Sequence, residues 1–579
     1  MIFSCQQGRE ERAVVFDEPA DPDTLAALTW SDATGRVHAA FGSTDIRYAR
    51  GRVPTEGLSA TAKVTAWRGE HQAVQIVIWS TEDLPSVKVR CTSLKGEHSE
   101  ICEGSLLLHP LGYVLADTGF TGCRRRSQDT MKAMLSPEIL YDNHPFSLAA
   151  RTVRPVWLDI AVPGRSFPPG EYRGSVVVST ENDSIYLPLT LEIQAMTLPQ
   201  PVDWSFHLDL WQNPFAMARY HRVTLWSQEH WDLIREYLRL LATAGQKCIT
   251  TSIINKPWGG QTYDPFGPMI GFIRNSDGSW DYDYSVFDQY VETAMDAGIR
   301  DQINCYTMVP WGNRFRYFDE DSARMVTLKA KPGTPEYEDF WRPFLQDFTV
   351  HLKEKGWFEK TAIALDERGE EDTRNLIAFL HREAPGLKLT LAGGYYPSVI
   401  NEIYDFSYYF WHLDKEKIPE LAAARRREGK ITTWYVACNV PHPNDFTFSP
   451  PAEAELQGWI TAALGLDGFL RWAYNSWPED VMHDSRFRTW PSGDTYFVYP
   501  GPHSSVRFEK LRDGIEAYTK IQILQQKLRE SGIVPPDSLR LENLLQELDP
   551  RHPVNAQEFL RKGRKVLTEL TDYLISKQH

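Results

Sequence analysis

At 579 residues and 42% hydrophobic composition, the chain can fill more than one core, which excludes a disordered or fibrous protein. Its net charge of -15, from 77 acidic and 62 basic residues spread along the chain, argues against nucleic acid or an anionic membrane as partner. Nineteen tryptophans and 25 tyrosines supply flat rings with a polar tip, which suit the apolar face of a sugar as well as ordinary cores.

The opening residues, Met1 to Glu11, have neither a basic segment nor an adequate apolar run, and no window reaches the length of a membrane span. The expected location is therefore cytoplasmic, unless a leader has been removed. Seven cysteines, at 5, 91, 102, 123, 248, 305 and 438, lack any Cys-x-x-Cys or Cys/His metal spacing and are expected as reduced thiols. The arginine triplets at 124–126 and 425–427 are short and read as solvated faces.

Residues 1–198 read as β-rich, with strand-like runs at 63–67, 72–80, 86–92, 105–115, 153–162, 172–179 and 185–193. Turn clusters separate them, the pattern of an antiparallel β-sandwich. Leu198-Pro-Gln-Pro-Val202 then suits a stiff connection. From 203 to 530 strand-like runs alternate with helical ones. The strands fall at 205–210, 248–254, 302–308, 361–365, 387–392, 406–410, 432–437 and 468–473, and the helices at 228–243, 285–297, 335–355, 372–383, 397–402, 415–427, 451–464 and 506–529. Eight such units are the arithmetic of a (β/α)8 TIM barrel. Residues 531–579 form a charged C-terminal tail with amphipathic stretches at 541–547 and 557–575, expected to pack as helices on the barrel or on a second copy in a homodimer.

In a barrel of this kind the active site lies at the C-terminal ends of the strands. The fourth strand ends in Leu365-Asp366-Glu367, two adjacent carboxylates after an apolar run. They read either as loop acids capping the next helix or as the centre of the chemistry. The other strand ends deliver Asp209, Trp311, Tyr395, Tyr396, His412, Asn439, Trp472, Tyr474, Asn475 and Trp477. Aromatics wall a pocket and amides read hydroxyls, the makeup of a carbohydrate site. Histidines 207, 412, 442, 483 and 503 fall at no paired ligand spacing, and no phosphate-binding glycine loop or Gly-x-Ser-x-Gly elbow is present. Neither metal nor cofactor is expected, and hydrolysis of a glycosidic bond by carboxylates remains.

A conventional glycosidase holds its two carboxyl groups on different strands, about 5 to 10 Å apart. Adjacent acids at a strand end suit a substrate-assisted route instead, in which the sugar's own 2-acetamido oxygen attacks the anomeric carbon. Glu367 would serve as acid and then base, and Asp366 would hold the acetamido N–H and stabilise the developing positive charge.

Four segments together carry a family resemblance: Asp366-Glu367; 468–477 (Gly-Phe-Leu-Arg-Trp-Ala-Tyr-Asn-Ser-Trp); 493–501 (Gly-Asp-Thr-Tyr-Phe-Val-Tyr-Pro-Gly); and 505–514, which ends in Leu-Arg-Asp-Gly. They resemble glycoside hydrolase family 123, most specifically across 360–520. The resemblance implies an N-terminal β-sandwich, a (β/α)8 barrel and a retaining exo-β-N-acetylgalactosaminidase acting on β-linked GalNAc-terminated oligosaccharide or glycolipid. Within it, Trp472, Tyr474, Asn475 and Trp477 are candidates for the acetamido pocket, with Tyr395, Tyr396 and Asn439 around the ring. Arg507, Glu509, Arg512 and Asp513 read as structural ion pairs, and Asp494 either touches sugar or caps its loop. Two alternatives stand beside this reading. One is a conventional two-carboxylate glycosidase of other specificity, such as β-GlcNAc, with Asp209, Asp405 or Glu479 as partner of Glu367. The other is a non-catalytic carbohydrate-binding protein.

Overall fold

A computed structural model describes residues 12–124, 131–550, 552 and 554–577. Cys5, Arg125 and Arg126 lie outside the described residues.

The N-terminal region folds as two packed sheets. One contains Val37–Gly42, His71–Ser80, Thr152–Ala161, Leu106–Asp117 and Ala133–Leu140; the other is built around Ala62–Arg68, Ser184–Thr197, Gly170–Ser179 and Leu84–Cys91. Alternation along the strands puts Ile76, Ile78, Val156, Leu158, Val176, Val178, Leu189 and Leu191 in the core between them. Among the described residues of this region, the strands pair antiparallel except that Ala62–Arg68 runs parallel to Ser184–Thr197, and Val14 bridges Phe146 in parallel. The expectation of a purely antiparallel sandwich is corrected there, because two strands far apart in sequence need no hairpin between them.

The barrel strands are β1 (His207–Leu210), β2 (Cys248–Ser252), β3 (Gln302–Tyr306), β4 (Thr361–Asp366), β5 (Lys388–Gly393), β6 (Asp405–Tyr409), β7 (Ile431–Tyr435) and β8 (Gly468–Arg471). They form one parallel sheet in the order β1-β8-β7-β6-β5-β4-β3-β2. Leu208, Ile303, Ile363, Leu365, Phe406 and Trp434 face the surrounding helices. Alternate residues point inward, since side chains on non-neighbouring strands meet: Asn304 of β3 donates to Asp209 of β1 at 3.1 Å, and Gln302 of β3 to Asp405 of β6 at 2.9 Å.

Closure is incomplete between β1 and β2, which share only the isolated bridge Leu208 to Gln246. Side-chain amides take over there. Gln246 Oε1 accepts from Leu210 N–H at 3.0 Å while its Nε2 donates to Cys248 O at 2.7 Å. Gln212 Oε1 accepts from Thr250 N–H at 2.8 Å. Backbone groups that would otherwise be buried and unpaired are thereby satisfied.

The crossover between β5 and β6 contains only the 3-10 turn Ile400–Glu402; the others carry α-helices. Ala452–Ala463, in the crossover to β8, and Val506–Ser531, which follows β8, cross at glycines. A Cβ on Gly458 would stand 1.9 Å from the carbonyl oxygen of Gly514, so the Leu-Arg-Asp-Gly segment ends in glycine to allow the approach. Arg425, expected to be solvated, is 3% exposed and donates to the carbonyls of Ile400, Ile403 and Ile431. Its long side chain supplies several donors to carbonyls at strand and turn ends.

Helix Val506–Ser531 also ties the regions together. Arg507 pairs with Glu138 of the sandwich, and Arg512 with Asp159. Lys510 pairs with Asp45 and Glu455, and Arg564 of the tail helix Ala556–Lys577 reaches the same two acids. The tail therefore packs on barrel and sandwich, with Trp67 Nε1 donating to Thr571 Oγ1 at 3.2 Å.

The expectation of reduced thiols fails at one pair: Cys123 and Cys438 form a disulfide. Their separation of 315 residues leaves no local spacing from which the pairing could be read. Cys91, Cys102, Cys248 and Cys305 are free. Closing so long a loop constrains the unfolded chain, so Cys123→Ser is expected to cost about 2 to 5 kcal/mol, measured by urea unfolding. Reductant should lower the wild type to the level of the variant and leave the variant unchanged.

Candidate active site

Asp366 is the last residue of β4, and the backbone turns sharply after it. Glu367 adopts φ +46°, a left-handed conformation that costs a non-glycine residue about 1 kcal/mol or more. Its N–H is held by Ala392 O of β5 at 2.7 Å. On a continuing strand the two carboxylates would diverge; the left-handed turn lets both serve one opening. Gly393 accommodates that turn, since a Cβ there would lie 3.1 Å from Glu367 Cα.

Each acid has its own partner. Trp311, on the loop after β3, donates its indole N–H to Asp366 Oδ2 at 3.1 Å. Tyr435, three strands around the barrel on β7, donates its hydroxyl to Glu367 Oε1 at 2.9 Å. The carboxylate of Glu367 thus reaches across the mouth. Arg368 lies 4.3 Å over the Trp311 ring and donates Nε to Asp366 O at 2.7 Å. Tyr396 donates to Arg368 O at 3.3 Å, bracing the same turn.

Burial pushes the Asp366 carboxyl up to about 7, and the neighbouring Glu367 carboxylate adds to the rise, while the Trp311 donor opposes it. Tyr435 is pushed well above the usual phenol range, first by burial and then by Glu367 and Asp366. It stays a neutral donor at any physiological pH.

Beneath the acids lies an aromatic floor. Trp211 stacks on Trp258 with centroids 4.9 Å apart, and Tyr306 touches both. The indole N–H groups of Trp211 and Trp258 are buried and make no hydrogen bond among the described residues. Trp472 packs half-buried against this cluster and donates to Asp494 Oδ2 at 3.2 Å. Asp494 also accepts from Arg471 at 2.9 Å, and the Trp490 ring meets Trp472 edge-on at 5.5 Å. The two readings left open for Asp494 give way to a third: it is 1% exposed and fixes the Trp472 ring.

Around the rim, Tyr409 donates to Asn439 Oδ1, packs against Tyr435 at 5.3 Å and meets His412 edge-on at 5.6 Å. Tyr395 remains 38% exposed beside Tyr408. The disulfide bears on this rim, because Cys438 immediately precedes Asn439.

Six sequence candidates fall elsewhere. Tyr474, Asn475 and Trp477 are 0% exposed and spend their polar atoms on the carbonyls of Tyr237, Asn213 and Val498. The chain after Trp472 turns down into the core, so these side chains pack the wall behind the site. Asp209 is 2% exposed inside the barrel, and Asp405 is 4% exposed and paired with His207. Glu479 stands exposed on the loop after β8. Tyr435, Tyr306 and Tyr409 were not among the candidates; period-2 counting along β7 from Thr433 would have found Tyr435.

The family models agree with this architecture. Residues 211–524 match the glycoside hydrolase 123 catalytic domain, more than half of the chain, and 41–180 match the glycoside hydrolase 123 N-terminal domain. The chain belongs to glycoside hydrolase family 123. A family 123 glycoside hydrolase from Clostridium perfringens, described for glycolipid glycan hydrolysis, superposes with a TM-score of 0.84 at 25% identity, covering 94% of this chain and 98% of that one. A GH10 xylanase with a bacterial Ig-like domain from termite gut is far more distant, at 11% identity and a TM-score of 0.32 over 63% of this chain and 90% of that one. Parabacteroides merdae β-glucuronidase is similarly remote, at 9% identity and a TM-score of 0.27 over 84% and 51%. Neither bears on the chemistry. No curated protein sequence matches the chain. As a family 123 glycoside hydrolase it hydrolyses glycosidic bonds. Among the described residues no helix is long and apolar enough to cross a membrane.

Proposed function

We propose that this family 123 hydrolase removes terminal β-linked N-acetylgalactosamine with retention of configuration, by substrate-assisted catalysis. The observation that carries the reading is the turn at Glu367, which aims two adjacent carboxylates at one mouth and gives each a different donor. Glu367, protonated, gives its proton to the glycosidic oxygen as the acetamido carbonyl oxygen attacks the anomeric carbon and the aglycone leaves. The cyclic oxazolinium is then opened by water, whose proton returns to Glu367. Asp366 accepts the acetamido N–H and offsets the positive charge that develops on the ring it helps to form. Asp209 and Asp405, the buried acids weighed as conventional nucleophiles, are engaged inside the barrel.

A GalNAc-thiazoline, which mimics the oxazoline, is expected to inhibit tightly, while indifference to it would refute the substrate-assisted route. Paired aryl β-GalNAc and β-GlcNAc substrates test the sugar, with faster turnover expected for GalNAc.

The mechanism needs Asp366 ionised, so the acidic limb of kcat/KM should follow its raised carboxyl, with about 7 as a ceiling because a protonated Glu367 no longer adds to the rise. Trp311→Phe keeps the ring but removes the N–H that favours the charged form. The limb should therefore move to higher pH, read from a kcat/KM profile; a limb that stays in place would take Trp311 out of this role.

A further inference from the structure

The closed end of the barrel contains a second cluster that glycoside hydrolysis does not use. His207 opens β1, Cys248 opens β2 and Asp405 opens β6, and one donor atom from each lies within 4.8 Å of the others. All three side chains are buried. His207 Nε2 is 3.1 Å from Asp405 Oδ2 and 3.2 Å from Cys248 Sγ. A single ring nitrogen carries at most one hydrogen, so protein hydrogen bonds can satisfy only one of these two approaches fully. Among the described residues Asp405 Oδ1 is buried and makes no hydrogen bond. Orphaned acceptors in a barrel interior are costly, and buried charges are normally paired or bound to metal.

We propose that His207, Cys248 and Asp405 form a structural zinc site that pins the seam between β1 and β2 to the far wall of the barrel. The donor set is one that zinc takes, with tetrahedral edges of about 3.3 to 3.6 Å expected from its usual bond lengths to nitrogen, oxygen and sulfur. The 3.1 and 3.2 Å separations need to open by only a few tenths of an ångström. Charge also balances: Zn2+, one thiolate, one carboxylate and one neutral imidazole sum to zero, which suits a buried site. The thiol proton and any imidazolium proton leave to solvent on binding. Gln302 Nε2, donating to Asp405 Oδ2 at 2.9 Å, already orients that carboxylate. Water takes the fourth corner. The location fits a stabilising role, because β1 and β2 share no continuous ladder and lean on Gln212 and Gln246.

The test uses the full chain and is independent of the sugar specificity. Protein purified without chelator is expected to hold one zinc per chain by elemental analysis. After chelation, added Zn2+ should raise the Tm, and added Co2+ should produce a thiolate-to-cobalt charge-transfer band. Cys248→Ser should lose that band, and Asp405→Asn should weaken Co2+ binding at least tenfold. Wild-type protein that holds no zinc and gives no cobalt band would overturn the site and leave a hydrogen-bonded cluster, whatever the variants do. A band of full strength in folded Cys248→Ser would equally overturn it, by assigning the thiolate to another cysteine.

Discussion

Glu367→Gln is expected to lower kcat on an aryl β-N-acetylgalactosaminide by about 10^2 to 10^4, the range that a positioned general acid and base contributes. Glutamine is nearly isosteric and can still accept from Tyr435, so the circular dichroism spectrum and Tm should hold. The loss is then chemical. An activated aryl leaving group needs little protonation, so its first step should suffer less than that of a natural glycan, which moves the bottleneck to breakdown of the oxazoline. Normal turnover in Glu367→Gln would remove it from the chemistry. Asp366→Asn offers a contrasting signature. Activity should fall severely because an amide cannot offset the developing charge. Stability should move the other way. The folded-state value of about 7 lies above the usual 3.8, so ionising Asp366 costs the native state free energy, and that cost grows between about pH 4 and 7 and is complete above 7. Asp366→Asn should therefore raise the Tm relative to wild type at pH 8 and leave it unchanged at pH 4. A site that stores strain and charge for function has this trade-off.

The second large effect is structural. Glu138→Gln is expected to destabilise the protein by about 3 to 5 kcal/mol, measured by urea unfolding, because it leaves buried cations without their counter-charge. Glu138 is 0% exposed on strand Ala133–Leu140 and accepts from both Arg47, at 2.6 Å, and Arg507. Arg507, 1% exposed, also donates to the carbonyls of Asp445, Gly493 and Tyr496. Gly493 adjoins Asp494, which fixes Trp472. The same substitution should thus raise KM as well as lower stability, whereas an isolated surface pair would contribute 1 kcal/mol or less. A change below about 1 kcal/mol would mean that water relieves the two guanidinium groups.

Strand-end logic found Asp366, Glu367 and Trp311 because the apolar run of β4 and the polar residues following β3 are local patterns. The same logic overreached after β8. Tyr474, Asn475 and Trp477 have the chemistry of a sugar pocket, but the chain carries them behind the wall, and only their partners 237, 213 and 498 reveal it. Tyr435 escaped for the opposite reason: a strand expected to run to 437 ends at 435, so the residue at its mouth was counted as interior. His207, Cys248 and Asp405 lie at no paired spacing and meet only because three strand starts converge at one end of the barrel.

By itself, then, the sequence determined what depends on neighbours along the chain. The alternation of strand and helix, the glycines where backbones approach and the adjacent carboxylates after β4 are local, because periodicity and backbone freedom are local properties. The tertiary structure alone decided which way Glu367 turns, how far Asp366 is pushed from its usual range, which cysteines pair and where the aromatic residues face. Each of those depends on burial and on partners brought from distant parts of the chain, and neither is encoded in spacing.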